Sequence, residues 1–236
     1  MKPRSLPFVL ALTLLAGWLP PALARSPELP TITDLMGSGA IAPTSLPQTP
    51  NGSSELVNQG FALLAQGRYI EAIAVFDQAI ALDARQPDAW LGRGYACYSQ
   101  GNFPAALQSA QRAIALAPDH DAAWTLSGSV LFAMGRYADA ALSLGRATTL
   151  NGHNETLWML LGFAHLLSEQ ATAALSAFDA ALRLAPEYPD AWLGRGHALE
   201  NLGRYAEALR AYEQVLALNP GDRVAQDRRD AVELLV

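Results

Sequence analysis

From residue 53 onward the chain shows apolar positions at helical spacing, interrupted at short, regular intervals. Ala72, Ile73, Phe76, Ala79 and Ile80 recur three and four residues apart, the spacing that places side chains on one face of an α-helix. Glycine, proline and asparagine interrupt such stretches about every fifteen residues. Short amphipathic helices joined by tight turns are the prediction, with no alternating stretch that would argue for strands.

The pattern also recurs at fixed distance. The string PDAWLGRG stands at 87–94 and again at 189–196, 102 positions apart, which is three periods of 34. DAAWTLSG at 121–128, ETLWMLLG at 155–162 and the more degenerate SSELVNQG at 53–60 fill the frame. One column therefore reads Leu56, Trp90, Trp124, Trp158 and Trp192, and the column four positions later reads Gly60, Gly94, Gly128, Gly162 and Gly196. Further columns hold Ala72, Ala106, Ala140, Ala174 and Ala208, then Ala79, Ala113, Ala147, Ala181 and Val215. A large wedge alternating with residues that lack bulk is what closely approaching helix axes require.

Each unit carries its own punctuation. Gly67, Gly101, Gly135 and Gly203 fall mid-unit and are followed two residues later by Tyr69, Phe103, Tyr137 and Tyr205. That arrangement suits a helix C-terminus, a tight turn and an aromatic staple on the next helix. Repeat four has Glu169 and Ala171 at these two places, so its turn is expected to be less well fixed. Pro or Gly near the unit ends stops the second helix, except that Ala84 takes that place in the first unit.

These columns resemble the tetratricopeptide repeat family, whose pattern is W-x₂-L-G-x₂-Y, then A-x₃-F, then P. The resemblance runs from residue 53 to about 222 in register, and Arg93 and Arg195 depart from it by replacing a leucine. It implies an all-α, right-handed solenoid of five helix-turn-helix pairs, at 53–86, 87–120, 121–154, 155–188 and 189–222. Residues 223–236 are read as a capping helix whose Val224, Ala231, Leu234 and Leu235 pack on repeat five.

Ahead of the repeats the pattern changes twice. Lys2 and Arg4, an apolar run from Phe8 to Leu19 and the small-residue ending Ala22-Leu23-Ala24 form the three parts of a secretory signal, with cleavage expected after Ala24. The run is shorter than the roughly 20 residues of a spanning helix, and the absence of a following cysteine excludes lipid modification there. The mature chain is expected to act outside the cytoplasm, in periplasm, medium or a lumen, with no membrane span. Residues 25–52 hold Pro27, Pro30, Pro43, Pro47 and Pro50 among Ser, Thr and Gly, the composition of a flexible linker. Asn51-Gly52-Ser53 and Asn154-Glu155-Thr156 match a glycosylation acceptor pattern that also arises by chance.

Charge narrows the partner. Beyond Lys2 the chain has no lysine, and 14 arginines past Arg4 face 22 acidic residues. Scattered arginines on an acidic body exclude the clustered positive surface that nucleic acid or an anionic membrane requires. The family resemblance implies a concave wall built by the first helices, with inward positions one, five and eight residues after the Trp column. Those are Val57, Phe61, Leu64; Leu91, Tyr95, Tyr98; Thr125, Ser129, Phe132; Met159, Phe163, Leu166; and Leu193, His197, Glu200. Related repeats that clamp a C-terminal carboxylate use Lys and Asn there, and this chain does not. An apolar and aromatic groove for a hydrophobic or amphipathic peptide segment is the expectation, with some of the leucines buried between repeats.

Candidate chemistry is sparse. His120 and His153 lie in loops beside Asp121 and Glu155, yet no H-x₃-H or H-E-x-x-H pair accompanies them. His165 and Cys97 occupy a core column and read as packed residues, whereas His197 faces the groove. No nucleophile elbow or phosphate loop is present, and no metal or cofactor is expected. A non-catalytic protein-binding scaffold is the reading, with a self-associating homo-oligomer or an accessory subunit of a separate enzyme as alternatives.

Overall fold

The computed structural model describes residues 52–236; the expected signal segment and nearly all of the expected linker lie outside the described residues. Eleven helices and no strands make up the described part. In order they are α1 Gly52–Ala65, α2 Tyr69–Leu82, α3 Pro87–Ser99, α4 Phe103–Leu116, α5 Asp121–Ala133, α6 Tyr137–Leu150, α7 Glu155–Leu167, α8 Ala171–Leu184, α9 Pro189–Asn201, α10 Tyr205–Leu218 and α11 Arg223–Glu233.

Odd-numbered helices open a repeat and even-numbered ones close it. Each packs on its neighbours in sequence, and successive first helices also touch one another directly, while second helices of adjacent repeats make no comparable contact. The result is an α-solenoid with a tight layer of first helices and a splayed layer of second helices.

Size complementarity between columns sets the spacing. Phe76 of α2 lies between Gly60 and Gly92, where an added Cβ would come within 2.6 and 2.1 Å of its ring. Phe178 of α8 fits between Gly162 and Gly194 in the same way, at 2.7 and 2.4 Å. In repeat two the large residue moves to the other partner, with Ala110 in the phenylalanine column and Leu126 in the column of Gly92 and Gly194, whereas at the next step both places hold leucine, Leu144 and Leu160. All four are buried. On α1 the outward-facing columns that elsewhere hold buried Ala, Gly or Leu carry Glu55 and Asn58, both exposed.

The tryptophans do more than wedge. Each indole N–H donates to the carbonyl six residues back: Trp90 to Ala84 (2.9 Å), Trp124 to Pro118 (2.8 Å), Trp158 to Gly152 (2.9 Å) and Trp192 to Pro186 (2.8 Å). Every loop between these repeats is thereby tied to the helix that follows it. Gln226 of α11, one period after Trp192, makes the same bond to Pro220 at 2.9 Å with its amide.

The turns inside the repeats share one geometry. Gly67, Gly101, Gly135 and Gly203 have φ of 70 to 73°, the left-handed conformation that ends a helix at little cost only for glycine. Glu169 adopts φ 63° at the same place in repeat four. Its flanking bonds, Glu169 N to Leu166 O (3.1 Å) and Gln170 N to His165 O (2.8 Å), match those around Gly67. The expected loosening of that turn is therefore not observed; the turn is kept and the strain is carried by Glu169.

The capping helix forms, but with a different buried face. Asp222 caps it by accepting from Ala225 N (3.2 Å), and Ala225 and Val232 are its buried residues, with Val224 packed beside them. Ala231, Leu234 and Leu235 are exposed, Leu234 at 88%. The expectation that these three pack on repeat five is corrected: the helix ends at Glu233, before Leu234 and Leu235, and 225 and 232, seven apart on one face, are the positions turned to the stack.

Candidate functional site

The inward positions named from the sequence do lie together on the first helices, but as a packed seam. Val57, Leu64, Leu91, Tyr95, Tyr98, Thr125, Ser129, Phe132, Met159, Phe163, Leu166, Leu193 and His197 are buried, and only Phe61 and Glu200 are half-buried. An open apolar trough was expected. The aromatic members instead spend their faces inside their own repeats. Phe61, Phe163 and His197 meet Phe76, Phe178 and Tyr212 at ring-centroid distances of 5.3, 5.0 and 5.7 Å. Tyr98 and Phe132 meet the staple residues Phe103 and Tyr137 at 5.8 and 5.2 Å.

Sealing this layer leaves polar atoms without partners. Among the described residues, the buried side-chain nitrogens and oxygens lacking a hydrogen bond are Tyr98 Oη, Ser129 Oγ, both ring nitrogens of His197 and Arg228 Nη2. The first three residues sit on α3, α5 and α9, and Arg228 sits on α11, in the place of a sixth first helix. None belongs to a second helix. Burial raises the Tyr98 phenol to about 12, so it stays protonated and can both donate and accept. The neighbouring Tyr95 hydroxyl reaches the Ala122 carbonyl at 3.5 Å.

His197 is the most perturbed of the histidines. Desolvation, aided by the Arg228 charge, lowers its pKa to about 3, so the ring is neutral near pH 7. Arg228 pairs with Glu200 at 3.6 Å, and the Tyr212 hydroxyl donates to the same carboxylate, closing a small polar cluster between repeat five and α11. His120 behaves oppositely. Its Nε2 lies 3.3 Å from Asp88 Oδ1, a contact between the loop leading into α5 and the first turn of α3 that raises its pKa. His165 is half-buried with Nδ1 3.0 Å from Gln170 Oε1, and His153 is exposed in its loop. Cys97 is buried and its thiol pKa raised by desolvation, the environment of an unreactive packing residue.

Open space lies on the other side of the stack. A groove of about 670 Å³ runs between the second helices α8 and α10, with Trp192 and Arg195 of α9 in its lining. A smaller one of about 380 Å³ lies between α4 and α6, over Trp124 and Ser127 of α5. They are the same groove two periods apart, and their linings differ in kind. Asp179, Arg183, Arg195 and Arg210 in the first correspond to Gln111, Ala115, Ser127 and Leu142 in the second. These outer grooves were not named from the sequence. The available signal was the column Ala74, Gln108, Leu142, Ser176, Arg210, which follows no repeat rule and so is free to encode surface identity.

Family models of the tetratricopeptide repeat match residues 57–121, 98–155 and 125–189, and a further one matches 189–222, so the matches run through the whole stack. The chain belongs to the tetratricopeptide repeat family. A curated relative, the chloroplastic tetratricopeptide repeat domain-containing protein PYG7 of Arabidopsis thaliana, is 34% identical over 70 residues, 30% of this chain and 23% of the relative. The match thus spans less than a quarter of that protein's length. Among solved structures, YrrB, described as a TPR protein with an unusual peptide-binding site, superposes with a TM-score of 0.69 at 20% identity over 74% of this chain and 90% of its own. MamA 41-end from Desulfovibrio magneticus RS-1 gives 0.68 at 20% identity, over 75% of this chain and 99% of its own. At that identity the likeness establishes the fold.

Tetratricopeptide repeats are protein-interaction scaffolds and are generally non-catalytic. Desolvation is the main cause of the shifts at Cys97, Tyr98 and His197, whereas the bond to Asp88 is the main cause at His120. What such an arrangement offers is hydrogen bonding and packing to another polypeptide.

Proposed function

We propose that this tetratricopeptide repeat chain acts outside the cytoplasm and holds an apolar or amphipathic peptide segment of a partner protein along its first-helix layer. The observation that carries the reading is the clustering of unpartnered buried polar side-chain atoms on that layer, at Tyr98, Ser129, His197 and Arg228. A buried polar group without a partner costs about 1 to 3 kcal/mol, and a main chain that parts the seam locally would supply the missing donors and acceptors. Only the edges of Phe132, Met159, Phe163, Leu166 and Leu193, each 5 to 7% exposed, and the half-buried Phe61 reach the face where the segment's side chains would pack. Export rests on the N-terminal pattern, with release of the segment ending at Ala24.

The test uses two conservative changes that leave packing intact, Tyr98→Phe with Ser129→Ala. Proteins retained by the native chain from an extracytoplasmic fraction are identified, and binding of the principal one is titrated against both forms. A loss of about tenfold or more in affinity is expected, since two hydrogen bonds to the partner at about 1 kcal/mol each are removed, while the thermal stability of the free chain is kept or raised because the unpartnered polar atoms are gone. Unchanged affinity would remove the first-helix layer as the site. Mass measurement of the exported chain should place its N-terminus at Arg25; a full-length mass would overturn the export reading.

A further inference from the structure

The groove between α8 and α10 carries charge that the fold does not use. Two of its lining groups are already committed: Arg195 Nε donates to Asp179 Oδ1 at 2.7 Å, and its guanidinium carbon lies 5.6 Å from the centre of the Trp192 ring. Glu207 is likewise held, by Arg204 at 2.7 Å, and the charges of Arg195 and Arg210 further lower its pKa. Arg183 and Arg210, both exposed, make no ion pair among the described residues. They come from the second helices of adjacent repeats, so they approach the groove from its two walls above the Trp192 floor. Glu213, the remaining acid of the lining, lies close enough to Arg229 to act on its charge.

The sister groove sharpens the contrast. With the same tryptophan floor it has Ala115 where Arg183 stands and Leu142 where Arg210 stands. The arginines are therefore not demanded by the groove's construction. The lining holds three arginines and three carboxylates, but Asp179 is held by Arg195 and Glu207 by Arg204, so Arg183 and Arg210 are the cations left without an ion pair among the described residues around one aromatic floor, on a chain whose formal charge is −6.

We infer that the α8/α10 groove docks an acidic segment of a partner protein, with carboxylates meeting Arg183 and Arg210 and an apolar side chain over Trp192. Guanidinium and carboxylate match in planar, two-bond geometry, and the half-open groove screens the pair less than a flat surface would. Long polyanions and anionic membranes fit poorly because the surrounding acidic surface repels them. The site is separate from the first-helix layer and stands whether or not that layer binds.

The test uses the full chain with a fluorescent heptapeptide of alternating glutamate and leucine, and its glutamine counterpart, followed by anisotropy at two salt concentrations. The glutamate peptide should bind more tightly than the glutamine one, weaken as salt rises, and lose about three- to tenfold in the R183Q/R210Q variant. The Y98F/S129A variant should bind it as the native chain does, which separates this site from the first-helix layer. Equal binding of the two peptides, or no effect of R183Q/R210Q, would overturn the inference. So would equally strong binding of a single-stranded oligonucleotide, which would make the groove a general polyanion site.

Discussion

The two helix layers of this solenoid obey different rules. In the first-helix layer neighbouring helices touch, Phe76 and Phe178 each fit against a pair of glycines, and polar atoms of Tyr98, Ser129 and His197 are sealed without partners. In the second-helix layer the helices splay, tryptophans show through, and equivalent positions differ from repeat to repeat. Columns that the repeat fixes determine how the stack is built. Columns that it leaves free determine what each groove presents, and this is why Arg210 and Leu142 can occupy the same place.

The sharpest way to break the contrast is to add a methyl group in each layer. Gly92→Ala puts a Cβ within 2.1 Å of the Phe76 ring, and a loss of about 3 kcal/mol or more in urea unfolding is expected from overpacking a site with no room to relax. Gly145→Ala on α6 meets nothing within 4 Å and should instead gain about 0.5 to 1 kcal/mol through helix propensity. Similar effects from the two changes would contradict the layer distinction.

A pH series probes the same layer at its C-terminal end. The folded pKa of His197, about 3, lies below the ordinary 6.5, so the unfolded chain binds the extra proton between those values. Stability is full above pH 6.5 and falls by about 1.4 kcal/mol per unit as pH drops toward 3. His197→Phe, which copies Phe61 and Phe163 in the same column, should flatten that slope. The raised pKa of His120 acts in the other sense: its bond to Asp88 contributes below pH 6.5 and is lost as pH rises through the raised value, so Asp88→Asn should remove stability chiefly at the acid side. Unfolding curves at pH 5 and pH 7.5 separate the two.

A smaller effect belongs to the turns. Glu169→Gly should raise the melting temperature, with a gain of about 0.5 to 1 kcal/mol, because the left-handed strain on a non-glycine residue exceeds the extra chain entropy of glycine. Gly135→Glu should lose a similar amount. A destabilised Glu169→Gly would mean that the glutamate side chain contributes something the backbone argument omits.

Much of the fold was legible in the sequence because identical contacts recur: the Trp column, the glycine and alanine columns and the turn glycines each repeat at one period, and each has a single physical use. The site was less legible. A tyrosine such as Tyr95 or a leucine such as Leu91 at an inward position looks the same in sequence whether it lines an open trough or closes a seam, and here packing against the next first helix closes it. The buried face of α11 is carried by Ala225 and Val232, and the helix stops at Glu233, whereas apolar content alone pointed to Leu234 and Leu235 beyond its end. Pairings such as Arg93 with Asp77 and Arg195 with Asp179, both 2.7 Å, explain why arginine replaces leucine in repeats two and five, yet they join residues on different helices.

The most direct measurement is amide hydrogen exchange of the chain alone and with its bound partner. Slowed exchange concentrated on α3, α5 and α9, the first helices that carry Tyr98, Ser129 and His197, is the predicted result. Protection confined to α8 and α10, or absent from the first helices altogether, would contradict the account.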